Sequence, residues 1–290
     1  MKTGNSPPST DFTMNKTSRR LMQLAKKIVP LYAADANIRA MSVTGSVADG
    51  LADGLSDVDL MIFYDRIPTE LEAERARARA NVKHVRYIAA NLPGKVIGEL
   101  FVSDGVTFEA SHYLVGPVEK AVSDVLQRGD TQYGKQKIVS GILNSLPLYG
   151  EPLIEGWRHR AKNYSDQLAR GMVSENLDFA DFYSKAKAAI QRDDIVLFYM
   201  VLLEMEKRLL AIFCGMNRVY HTGSWKNVGL LIGRMKITPK KFAVRMKKIL
   251  RDEPSAALAE LGRLIGETFA LVEAKMPEID TRPHRFDTET

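Results

Sequence analysis

A change of hydrophobic period at Pro117 divides this chain into two kinds of sequence. Before it, short runs rich in Val, Ile, Phe, Tyr and Thr alternate with helical stretches. After it, segment upon segment repeats its apolar residues at helical spacing. In the first part, Leu21, Leu24, Ala25 and Ile28 share one helical face, and Pro30 is expected to stop that helix. Residues 38–45 (IRAMSVTG) and 58–65 (VDLMIFYD) read as strands, and 105–116 (GVTFEASHYLVG) as a third. Between them, 69–90 reads as a charged helix with Pro68 near its first turn. In the second part, 118–130, 134–146, 156–173, 179–216, 238–252 and 254–276 all carry helical periodicity, with Thr238 and Pro239 as N-cap and first turn of the fifth. The expected class is α+β: a disordered tail over 1–13, a small mixed-sheet domain over 14–151, and a helical bundle over 152–290.

Composition removes several alternatives. With 290 residues, 45% hydrophobic and 26% charged, the chain is built to bury a core and is not a disordered protein. Its net charge of +6 favours anionic partners such as nucleotides without the charge density of a dedicated nucleic-acid binder. Cys214 is the single cysteine, which excludes a disulfide framework and a thiolate metal site. The longest apolar run, 195–203, is about half the length a membrane span needs. Residues 1–16 lack the apolar core of a signal peptide, so a cytosolic location and no membrane partner are expected.

Chemistry concentrates in SVTGSVADGLADGLSDVDLMIFYD, residues 42–65. Alternate residues of a strand share a face, so Asp57 and Asp59 point together, about 6–7 Å apart along the strand, while Val58 points to the core. Paired carboxylates at a strand edge can each give an oxygen to a shared Mg²⁺, which is held by a few carboxylates together with substrate phosphates. Gly45 lets backbone approach a phosphate, and turn N–H groups with the Ser46 hydroxyl can cradle its oxygens. A P-loop is excluded because Leu51 and Ala52 follow Gly50. An EF-hand is excluded because the acidic loop lacks its closing glutamate.

Gly-Ser, a spacer of ten residues, and then Asp-Val-Asp-Leu is similar to the signature of the DNA polymerase beta-like nucleotidyltransferase superfamily. That resemblance implies a small mixed sheet with the Gly-Ser turn and the aspartates on adjacent strands. It also implies two Mg²⁺ ions, an NTP co-substrate, and transfer of a nucleoside monophosphate to a hydroxyl with release of pyrophosphate. A third family carboxylate on a later strand falls on Glu109, so Asp57, Asp59 and Glu109 are the implied metal ligands, and Gly45 and Ser46 the implied β/γ-phosphate contacts. The C-terminal half, through LYGEPLIEGWRHRAKNYSDQLA and the stretch ending NRVYHTGSWKN, resembles the helical domain of antibiotic nucleotidyltransferases that modify lincosamides and aminoglycosides. On that likeness Lys226 approaches the triphosphate, Glu204 is the base for the acceptor hydroxyl, the acceptor is a small hydroxylated molecule, and a homodimer is possible. Asn227 stands where such enzymes often carry Trp.

Each assignment has a plainer counterpart. Asp57 and Asp59 can be a solvated turn before a strand, Glu109 a surface residue, Glu204 the partner of Arg208 in an i,i+4 ion pair, and Lys226 an exposed loop lysine. His112, His159 and His221 show no metal spacing and read as structural, and Cys214 reads as core. The basic stretch 234–251 can grip RNA, but Phe242, Met246, Ile249 and Leu250 give it the buried stripe of an amphipathic helix. A protein or tRNA acceptor is the alternative to a small molecule, since toxin-type relatives share the core, and a non-catalytic nucleotide sensor is the alternative to an enzyme.

Overall fold

The computed structural model describes residues 14–34, 37–88, 94–223, 226 and 228–287, so the expected tail over 1–13 lies outside them. Contacts divide the chain into two compact units: one through Val122 together with Ile138–Lys162, the other Ser123–Lys137 with Asn163 onward. The class is α+β, a mixed sheet with flanking helices followed by an all-helical region.

The chain enters through α1 (Lys16–Tyr32), where the Asn15 side chain accepts from the Ser18 N–H as N-cap. Pro30 does not stop this helix; it lies in the last turn, where a missing donor and a pinned φ cost little because few residues follow. Next come β1 (Ile38–Thr44), the single turn α2 (Gly45–Ala48) and β2 (Val58–Tyr64). Helix α3 (Glu70–Arg79) starts on a reciprocal capping box between Thr69 and Glu72.

The expected helix over 69–90 is too long, since 83–88 form strand β3 (Lys83–Ile88). Asn81, at φ +49°, turns the chain out of the helix, and the β-branched and aromatic residues Val85, Tyr87 and Ile88 continue as an edge strand. Strand β4 (Lys95–Ser103) was not anticipated either. It joins β5 (Val106–Leu114) through Asp104-Gly105, both at positive φ, the usual chemistry of a two-residue hairpin.

Then follow α4 (Val115–Arg128), α5 (Tyr133–Asn144), β6 (Leu146–Tyr149) and α6 (Glu151–Ala161). The six strands order as β3-β4-β5-β2-β1-β6, with β2 and β5 parallel and the other neighbours antiparallel. One face of the sheet buries Val43, Val58, Leu60, Ile62, Phe108 and Ala110 against Leu21, Ala25, Ile28 and Val29 of α1. On the other face Phe63 meets Trp157 of α6 edge-on at 5.1 Å, and Trp157 donates its indole N–H to Glu119. Each fully buried large side chain contributes about 1.5–3 kcal/mol.

The helical unit holds α7 (Asp166–Ser174), α8 (Ala180–Gln191), α9 (Ile195–Asn217), α10 (Val228–Gly233), α11 (Phe242–Ile249) and α12 (Pro254–Lys275). Helix α9 packs on α7, α8 and α12, and so carries apolar residues on several sides; Cys214 is buried within it. Helix α11 begins at Phe242 after Lys241 in a left-handed cap, later than the Thr238-Pro239 start expected. Phe242, Met246 and Ile249 are buried as anticipated, while Leu250 is 41% exposed. No helix among the described residues is long and apolar enough to cross a membrane.

Beneath α3 lies a buried polar cluster. Glu99, 2% exposed, accepts from Arg77 at 2.8 Å, and the His112 Nε2 stands 3.4 Å from its other oxygen. The His112 Nδ1 in turn faces the Tyr64 hydroxyl at 3.0 Å. Burial opposes the charge on Glu99, but His112 and Arg77 outweigh it and hold the carboxyl below its ordinary value. Removing one partner of such a pair strands the other, so Glu99→Ala is expected to lower unfolding free energy by about 3 kcal/mol in denaturant titration. Because the folded carboxyl is depressed, its contribution is full above the ordinary carboxylate pKa of about 4.3 and is lost as pH falls below that.

Candidate metal centre

Two strand pairings build the site. In the antiparallel pair β1–β2, Thr44 opposes Asp59, and in the parallel pair β2–β5, Asp59 pairs with Glu109. Paired residues share a sheet face and neighbouring strands stand about 4.8 Å apart, so Asp59 and Glu109 project side by side. Asp57 lies one residue before β2, two before Asp59, and Val58 between them is wholly buried on the opposite face. One carboxylate oxygen from each of Asp57, Asp59 and Glu109 lies within 4.8 Å of the others, and all three residues are half-buried. Three like charges that close repel one another, which a bound cation would relieve. An all-oxygen set of carboxylates suits a hard divalent ion such as Mg²⁺, and these residues fit it.

Gly45 abuts this cluster at φ +67°, where a Cβ would run into Asp59 Oδ2 and lie 3.0 Å from Asp59 Cγ. Only glycine meets both demands, the left-handed backbone and the close approach. Ser46 follows in α2, half-buried. The expected turn after Gly45 is therefore a single helical turn, and its carbonyl at Ser46 accepts from the Leu51 N–H at 2.9 Å. The loop beyond is tied down at both ends. Ala52 donates its N–H to Ser18 Oγ and accepts from Asn15 Nδ2, while Asp53 Oδ1 accepts from the Leu55 N–H and the Ser56 hydroxyl. The chain thus returns to Asp57 along a fixed path.

The two remaining candidates belong to the helical unit. Glu204 on α9 is ion-paired to Lys207 at 3.3 Å and to Arg208 at 3.7 Å. Lys226 is an exposed turn residue between α9 and α10, and its neighbours Trp225 and Asn227 lie outside the described residues. The carboxylate that α9 does isolate is Glu206, 0% exposed, with neither oxygen partnered among the described residues. Burial pushes its carboxyl up to about 8. Hydropathy could not separate the two glutamates, because the sequence on both sides is apolar. His221 is likewise buried, its ring tilted against Tyr133 at 4.5 Å, with its Nδ1 accepting from the Gly223 N–H, and burial lowers its pKa to about 4.

No protein-family model matches the chain, and no curated protein matches it. Among solved structures it is similar to a nucleotidyltransferase-like protein from Exiguobacterium sibiricum 255-15, at 11% identity and a TM-score of 0.41, over 89% of this chain and 80% of that one. A likeness that faint carries no inference, and the site rests on its own geometry.

Two outcomes are expected. Gly45→Ala should displace the Asp59 carboxylate, costing about 1–3 kcal/mol of stability through backbone strain and raising the Mg²⁺ concentration needed for any metal-induced thermal shift. A raised carboxyl such as Glu206 favours folding most fully below the unfolded value near 4.3, and that advantage is lost as pH rises toward 8. His221, lowered by burial, works in the opposite sense below pH 6.5, so the comparison is with Glu206→Gln: from pH 5 to 8 the unfolding free energy of wild type should fall relative to that variant by on the order of 3 kcal/mol.

Proposed function

We propose that the chain is a Mg²⁺-dependent nucleotidyltransferase, moving a nucleoside monophosphate from an NTP to an acceptor hydroxyl and releasing pyrophosphate. The observation that carries this reading is the convergence of Asp57, Asp59 and Glu109 oxygens within 4.8 Å, with Gly45 packed against Asp59 and Ser46 next in the chain. Asp57 and Asp59 would hold the metal, two ions when fully loaded, and Glu109 would hold the ion on the acceptor's side. Mg²⁺ bound there supplies stabilisation of charge on the attacking and leaving oxygens of an in-line displacement.

The chain's own groups do the rest. Gly45 offers close backbone approach and Ser46 a hydroxyl donor to the β/γ phosphates, and Lys226 offsets their charge. The acceptor oxygen forms a bond to the α-phosphorus, the bond to pyrophosphate breaks, and the acceptor's proton passes to a base, for which Glu204 is the candidate. The roles of Lys226 and Glu204 rest on the family resemblance. The acceptor is either the small hydroxylated molecule suggested by the helical half or the protein or tRNA of the alternative reading.

The test is thermal stability of wild type and of Asp57→Ala/Asp59→Ala, with each NTP, in the presence and absence of Mg²⁺. At one hundred times the dissociation constant, a stabilisation of about 2.7 kcal/mol is expected in wild type, only with Mg²⁺. An equal shift in the double variant, or no shift with any NTP, would remove the proposal.

A further inference from the structure

The sheet carries a second charged feature on the same face as the carboxylates. Strand β3 forms the edge, and all of its six residues except Ile88 are exposed, so side-chain burial does little to explain why it is there. Its pairing with β4 contains one extra residue: Lys83 faces Val102 and Arg86 faces Leu100, three steps against two. His84, at φ +54°, sits within that bulge. Strict alternation would put Lys83 and Arg86 on opposite faces; the bulge turns both to the face of Leu100 and Val102.

That face is the one bearing the metal cluster. Leu100 opposes Glu109, and Glu109 pairs with Asp59, so Arg86, Leu100, Glu109 and Asp59 form one row across four strands. Lys83, Val102 and Thr107 form the next row, on the side toward Asp57. The face is open here: Leu100, Val102 and Glu109 are half-buried and Thr107 is exposed, while Phe101, Phe108 and Ala110 are buried on the reverse. Neither the Lys83 nor the Arg86 side chain has an ion-pair or hydrogen-bond partner among the described residues.

We infer that this strip is the acceptor side of the site and that the acceptor is a single-stranded polynucleotide, its terminal hydroxyl at Glu109 and its phosphates running over Leu100 to Arg86 and Lys83. The inference rests on the nucleotidyltransferase reading above. Gly45 and Ser46 follow β1, on the other side of Asp59 from Glu109, which leaves the β4–β3 side for the second substrate. Two cations one strand repeat apart, about 7 Å, suit successive phosphates of a nucleotide chain. Leu100 and Val102 offer apolar surface to sugars and bases between them, and the chain's net charge of +6 favours a polyanion. A cationic small acceptor of the aminoglycoside kind would instead be repelled by Lys83 and Arg86.

The experiment uses the full chain, a short fluorescein-labelled single-stranded RNA followed by anisotropy over a salt series, and Mg²⁺–NTP binding measured in parallel. Lys83→Ala/Arg86→Ala should weaken RNA binding at least ~10-fold and reduce the salt slope by about 1.4, two contacts at about 0.7 each, with Mg²⁺–NTP affinity unchanged. The charge-keeping exchange Lys83→Arg/Arg86→Lys should hold RNA affinity near wild type, which separates loss of charge from misfolding. Wild type that binds Mg²⁺–NTP but not RNA, or equal RNA affinity in the alanine variant, overturns the acceptor assignment and leaves the nucleotidyltransferase reading standing. RNA binding without any Mg²⁺–NTP binding overturns that reading, and the acceptor role with it. Polyglutamate competing as well as RNA at equal charge overturns the polynucleotide in favour of an acidic peptide.

Discussion

The parallel pairing of β2 with β5 is the constraint on which the site depends. It sets Asp59 beside Glu109, and because side chains alternate along a strand, a slip of one residue would send Glu109 to the opposite face among Phe108 and Ala110. The slip is prevented by burial. Val58, Leu60 and Ile62 on β2, with Phe108 and Ala110 on β5, are at most 1% exposed, and a shifted register would exchange them with carboxylates and a serine. At about 1.5–3 kcal/mol for each large apolar side chain, the core fixes the register far more strongly than three carboxylates can resist it. Hydrophobic packing on one face thus holds together charges on the other that would otherwise move apart.

The two faces near β4 and β5 divide their work accordingly. The reverse face is closed by α1 and α3 and contains the Glu99–Arg77–His112–Tyr64 cluster, a polar group of the interior in which charge is matched by charge. The front face gathers its charges by sign: acids at Asp57, Asp59 and Glu109, bases at Lys83 and Arg86 farther along the same rows. Like charges gathered beside one another oppose folding slightly, and the large apolar core behind them absorbs the cost. A bulge at an edge and a left-handed glycine at a turn are the two local irregularities that aim these groups, and both occur where regular geometry would have pointed a residue the wrong way.

Much of this was legible in the sequence, for reasons that can be named. The turn at Gly45-Ser46 and the strand after Asp57 announce themselves because residues of extreme preference, glycine and a continuous apolar run, sit at defined spacing. Glu109 stood out as a lone charge inside a β-rich run. Strand β3 was hidden because a strand exposed on both faces has no two-residue period, and the arginine–alanine pattern of α3 seemed to continue through it. Strand β4 did carry a signal, the Asp104-Gly105 hairpin, which only acquires meaning once both flanking strands are recognised. The bulge at His84, and with it the shared face of Lys83 and Arg86, is invisible without the partner strand. On α9, periodicity cannot tell Glu204, which is ion-paired, from Glu206, which is buried alone, because the surrounding helix is apolar on several sides.

The interleaving of the two units has a consequence for biosynthesis. The sheet unit takes back Ile138–Lys162 after the chain has already supplied Ser123–Lys137 to the helical unit. On the ribosome, therefore, the sheet lacks its last strand and the Trp157 that covers Phe63 until Lys162 has emerged, and by then the first piece of the helical unit has been waiting, unpartnered, for α7 and α9. Neither unit is a contiguous segment that can be cut out without carrying or losing a piece of the other. A gene rearrangement that moved 1–162 would carry the whole sheet unit but take the first piece of the helical unit with it, and one that moved 163–290 would leave that piece behind.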